Sequence, residues 1–124
     1  MKVLIADDDT YNRKLLTDVL TLNGCQVFVA ETGKQAIDVA KQEKPDFILM
    51  DHTMPEMLGY DAAREIRKDS SMQAVPIVMI TGDFEVQAQA EDDKMENCAF
   101  LPKPYSIEQL MTTISLATGK PFPS

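Results

Sequence analysis

The 124 residues contain no tryptophan, one histidine and only two cysteines. Cys25 and Cys98 lie far apart in the chain and His52 stands alone, so the clustered spacing of a zinc site is missing. The two cysteines read as buried free thiols, and a reducing, cytoplasmic setting is the expectation. Long apolar runs are lacking too. None approaches the roughly 18 residues of a membrane span, and the opening Val3-Leu4-Ile5-Ala6 meets three aspartates at once, which no signal peptide does. Positive charge is scarce, with 12 Lys and Arg against 20 Asp and Glu, for a formal net charge of −8. That balance argues against direct nucleic-acid binding by these residues and against an anionic membrane surface.

What is present is alternation. Val3–Ala6, Cys25–Ala30, Phe47–Met50, Ile77–Ile80 and Cys98–Leu101 are five short apolar runs, too short for helices, and they predict strands buried on both faces of a parallel sheet. Between them apolar residues recur at helical spacing. Leu15, Leu16, Val19, Leu20 and Leu22 precede the stop signal Asn23-Gly24; Ala36, Ile37 and Ala40 precede Pro45; Ala62, Ala63 and Ile66 close around residues 69–71. The stretch from Phe84 to Met95 offers little to pack and is expected to be the least stable helix, while Ile107, Leu110, Met111 and Ile114 form a fifth with Ser106 as N-cap. The fold class is therefore α/β: a three-layer sandwich of five parallel strands and five helices.

In such sheets ligands sit beyond the carboxyl ends of the strands. There the chain places Asp7-Asp8-Asp9, Asp51, Thr81 and Lys103. Each alone has a bland reading, an acidic helix start, a turn or a surface charge; together they crowd one sheet edge. Two carboxylates about 5 Å apart repel by roughly 3 kcal/mol at an effective dielectric of 20, so the cluster calls for a cation. Oxygen ligands favour Mg²⁺, or Mn²⁺, and a metal beside a third carboxylate, a lysine and a hydroxyl has the parts for phosphoryl transfer.

These residues, with Asp51-His52-Thr53-Met54-Pro55-Glu56-Met57-Leu58-Gly59, Ile80-Thr81-Gly82 and Lys103-Pro104, closely resemble the receiver domain of two-component response regulators over nearly the whole chain. The resemblance implies a flavodoxin-like sheet of order 2-1-3-4-5. It implies Asp51 as phosphoacceptor; Asp7, Asp8, Asp51 and the Thr53 backbone carbonyl as metal ligands; Lys103 and Thr81 on the phosphoryl group; and Thr81 with Phe100 as the switch. Thr53 and Asp83 match positions that tune phosphoryl lifetime. The signal would leave through the face of helix four, strand five and helix five. A sensor histidine kinase or histidine phosphotransfer protein is the implied donor; a downstream protein or a missing output domain is the implied receiver of the signal, with dimerisation on phosphorylation as a further outcome.

The chain departs from the family pattern at Phe100, where tyrosine is more frequent, and at Glu96, where glycine is usual, so Asn97 is expected to take the left-handed cap. His52 is expected to face solvent in a loop. Two alternatives are weighed. A pseudo-receiver that works without phosphorylation is disfavoured because no expected site residue is missing, and a Mg²⁺-dependent aspartyl phosphatase of the haloacid-dehalogenase type would need an aspartate where Thr53 stands. Residues 1–118 are expected to form the domain. The start at Met1 suggests a natural N-terminus, and residues 119–124 a tail or the beginning of a linker.

Overall fold

The computed structural model describes residues 1–122. Strands β1 (Lys2–Ala6), β2 (Gln26–Ala30), β3 (Phe47–Asp51), β4 (Ile77–Thr81) and β5 (Cys98–Pro102) alternate with helices α1 (Thr10–Leu22), α2 (Gly33–Glu43), α3 (Gly59–Arg67), α4 (Phe84–Asp92) and α5 (Ile107–Thr118). One turn of 3-10 helix, Ser70–Met72, links α3 to β4. All pairings are parallel and the sheet order is β2-β1-β3-β4-β5, as expected. Parallel strands joined through helices bring every carboxyl end to one edge. The register sets Ala6 beside Met50 and Asp51 beside Ile80, so the ends of β1, β3 and β4 are level.

Strand residues alternate between two cores. Leu4, Ile48, Met50, Ile77 and Met79 pack with Ala36, Ala40, Ala62, Ala63, Ile66, Val86 and Ala90 under α2, α3 and α4. Val3, Ile5, Phe47, Leu49, Val78 and Ile80 pack with Leu16, Leu20, Leu110 and Ile114 under α1 and α5. Burial on both faces is complete in the central β3 and β4, whereas the edge strands β2 and β5 keep partly exposed positions. The all-apolar runs are thus explained by position in the sheet.

Caps mark the helix ends. Thr32 accepts the Gln35 N–H at the start of α2, and Ser106 with Gln109 forms a reciprocal capping box on α5. Helix α1 buries Leu16 and Leu20, but Leu22 is 87% exposed and Leu15 40% exposed, because the stripe is narrower than the run of leucines suggests.

Helix α4 ends three residues earlier than its sequence pattern indicates. Lys94 takes the left-handed conformation at φ +55°, its N–H bonds to Glu91 O, and the Met95 N–H returns to Ala90 O, the paired bonds of a Schellman stop. Asn97 is left-handed as well, at φ +57°, but it serves the entry to β5 and does not cap the helix. Only Val86 and Ala90 of α4 are buried. Cys25 is buried, whereas Cys98 is only half-buried because β5 is an edge strand.

Candidate functional site

At the end of β1 the three aspartates divide their work. Asp9 is the N-cap of α1, its side chain accepting the Tyr11 N–H at 2.9 Å. Asp7 is buried and accepts the Asp9 N–H at 2.9 Å, while Asp8 is exposed. The helix-start reading is therefore correct for Asp9 and fails for Asp7. Arg13 holds the turn from behind: Nη1 donates to the Asp7 carbonyl at 2.8 Å and Nη2 to Glu31 at 2.9 Å.

Asp51 closes β3 and is buried; Lys103 reaches it from the β5–α5 connection, Nζ donating to Oδ1 at 2.6 Å. The Lys103 backbone N–H bonds to Thr81 O at 3.2 Å, which continues the β4–β5 ladder past the strand ends. The Lys103–Pro104 peptide bond is cis. Asp7, Asp8 and Asp51 each offer a carboxylate oxygen, all within 4.8 Å of one another. Burial raises the pKa of Asp51 even though the Lys103 ammonium lowers it, and the Asp8 charge adds to the rise. Asp7 is raised by burial as well, with Asp51 contributing. Three anionic oxygens facing one lysine leave a deficit of positive charge, and an all-oxygen donor set of this kind fits a hard divalent cation.

Thr81 ends β4, buried, and its hydroxyl accepts the Asp83 N–H at 3.0 Å. Asp83 in turn caps α4 through Glu85 N–H at 2.9 Å. Phe100 is partly buried and shares with Thr81, Asp83, Phe84, Gln87 and Pro102 a gap of about 40 Å³. Thr53 is exposed at the opening of the β3–α3 loop, two residues from Asp51.

His52 does not face solvent. It is 8% exposed, and its Nδ1 accepts the Tyr60 N–H at 3.2 Å, which requires the neutral ring; burial lowers its pKa. Gly59 is forced by the same approach, since a Cβ there would lie 2.3 Å from the Asp51 carbonyl oxygen. Sequence reading also missed Arg13 and Tyr105. Tyr105 is half-buried against the core under α1 and α5, and its pKa is raised by burial and then by the charges of Asp7 and Asp51. A cation three residues into a helix carries no signal of the carbonyl it will clamp.

The response regulator receiver domain model matches residues 3–115. The chain belongs to the response regulator receiver domain family. This receiver domain is 34% identical to PilH of Pseudomonas aeruginosa over 92% of its own length and 94% of that protein's. It is 29% identical to the polar-differentiation response regulator DivK of Brucella anthropi, covering 94% and 95%. In structure it is similar to the chemotaxis protein CheY4 of Vibrio cholerae, with a TM-score of 0.84, 28% identity and coverage of 94% and 97%. The receiver domain of a Pseudomonas aeruginosa sensor histidine kinase matches at TM-score 0.81 and 29% identity over 96% and 98%, and that structure has a magnesium ion coordinated in its active-site cleft. Receiver domains are signalling modules of two-component systems, so a signal-transduction role is shown for this chain. Among the described residues no helix is long and apolar enough to cross a membrane.

Proposed function

We propose that this receiver domain is a phosphorylation-activated switch in which Asp51 accepts a phosphoryl group from a phosphohistidine donor, a sensor histidine kinase or a histidine phosphotransfer protein. The observation that carries this is the convergence of Asp7, Asp8 and Asp51 within 4.8 Å, with Lys103 Nζ on Asp51 at 2.6 Å. An Asp51 carboxylate oxygen attacks phosphorus, the O–P bond forms as the N–P bond of the donor breaks, and the imidazole leaves with the electron pair. Lys103 holds Asp51 in place and then faces a phosphoryl oxygen, neutralising charge as it develops. Asp7, Asp8, Asp51 and the Thr53 carbonyl are the residues that would hold Mg²⁺, or Mn²⁺, which supplies charge neutralisation to the equatorial oxygens when bound.

Thr81 is the residue that reports the event. Its hydroxyl serves the Asp83 N–H now, and turning onto a phosphoryl oxygen moves it from the capped start of α4. Phe100, which borders the same gap, can then change its packing, so that the α4–β5–α5 face presents a different surface to a downstream protein or an output domain. Phe100 has no hydroxyl, and its in and out positions depend on packing alone. Thr53 and Asp83 flank the site and would tune phosphoryl lifetime. We assign residues 1–118 to the domain and 119–124 to a tail or linker; Pro123 and Ser124 lie outside the described residues.

Incubation with acetyl phosphate and Mg²⁺, followed by intact mass measurement, tests the reading. One phosphoryl group on the wild type and none on Asp51→Asn is the expected result; equal modification of both proteins would overturn it.

A further inference from the structure

The loop that carries Thr53 is closed by one residue. The Gly59 N–H donates to the His52 carbonyl at 2.7 Å, and the next N–H, Tyr60, donates to the His52 side chain at 3.2 Å. Helix α3 has no capping side chain of its own, because its N-cap residue is Leu58. Two of the N–H groups that a helix start leaves without partners are therefore satisfied by the residue that follows the phosphoacceptor. A third contact sets the same register, the bare Gly59 backbone lying against the Asp51 carbonyl. His52 is itself anchored to the sheet, its N–H bonding to Ile80 O at 3.0 Å. Residues 53–58 are thus a loop whose two ends meet at His52, and Thr53 is the first residue within it.

We infer that His52 is a positioning residue for the metal and phosphoryl site: its imidazole Nδ1, acting as the remote N-cap of α3, holds the β3–α3 loop so that the Thr53 carbonyl stands in place beside Asp51. This deepens the proposed function and rests on it. The bland reading, a histidine filling a core position, accounts for burial but not for a ring nitrogen placed on the second N–H of the helix. Partners that orient a ligand-bearing segment change metal affinity about 10- to 100-fold when removed.

The test compares His52→Leu, which keeps bulk and removes the acceptor, with His52→Asn, whose Oδ1 can occupy the Nδ1 position. The Mg²⁺ concentration giving half-maximal phosphorylation by acetyl phosphate is measured for each, together with amide exchange at Tyr60 in the metal-free proteins. His52→Leu is expected to need about tenfold more Mg²⁺ and to lose Tyr60 protection, and His52→Asn to recover both to within about threefold of wild type. Should His52→Leu not fold, His52→Gln takes its place, since its acceptor is displaced by one bond. Wild type and His52→Leu, or His52→Gln in its place, half-saturating at the same Mg²⁺ would overturn the inference alone. A wild type that is not modified at Asp51 overturns the underlying reading, and the inference with it.

Discussion

The Tyr60 hydroxyl donates to the Asp93 carboxylate at 2.5 Å, joining the first turn of α3 to the end of α4 across 33 residues of sequence. Tyr60 is 1% exposed, and α4 buries little else, so this bond is one of the few that hold the helix down. The Arg67 guanidinium adds a second tether just beyond, donating to the carbonyls of Glu96 and Asn97 at 3.2 and 3.0 Å. The start of α4 depends instead on Asp83 and Thr81. The helix is consequently tied at one end to the scaffold and at the other to the site.

Tyr60→Phe removes the first tether without changing core volume. It should cost about 1.5 kcal/mol, the low end for a bond to a charged acceptor, because Asp93 is exposed. Faster amide exchange confined to α4 is the expected local sign; uniform acceleration through the whole domain would mean that the bond is a global and not a local support.

Tyr60 also predicts the alkaline limit. Burial, followed by the Asp93 hydrogen bond and charge, raises its pKa above the ordinary 10.0. The folded state therefore resists phenolate formation, so the contribution is fully present below pH 10 and is lost as pH rises beyond it. Phenolate absorbance should show part of the tyrosine signal appearing only with unfolding, and Tyr60→Phe should abolish that delayed fraction.

Charge crowding predicts a gain from a lost carboxylate. In metal-free protein Asp8→Asn relieves repulsion on Asp7 and Asp51 and should stabilise by about 1 kcal/mol, or about 4 °C in melting temperature. Excess Mg²⁺ should reverse the order by stabilising wild type more than the variant. A metal-free Asp8→Asn protein melting at or below wild type would contradict this electrostatic account.

Two glycines separate steric need from turn chemistry. Gly59→Ala drives a methyl into the Asp51 carbonyl and should cost about 3 kcal/mol, although alanine is the better helix former. At Gly82 an added Cβ meets nothing within 4 Å, and Gly82→Ala should stay within about 0.5 kcal/mol of wild type in chemical denaturation. Equal effects at both positions would count against the close approach.

The amino-acid sequence by itself determined the five strands, the five helices and the polar strand ends, because burial of a parallel sheet demands unbroken apolar runs and leaves chemistry only at their ends. It located Asp7, Asp8, Asp51, Thr81 and Lys103 and the Ser106 cap, all of which read locally. Tertiary structure decided what depends on approach between distant segments. His52 is buried because α3 returns to meet it, Arg13 reaches a carbonyl across the β1–α1 turn, and α4 stops at Asp92, where a Schellman turn through Lys94 overrides the apolar spacing that continues to Met95. Residue type and spacing carry the first kind of information; the second arises only when the folded chain gives a buried donor a single acceptor within reach.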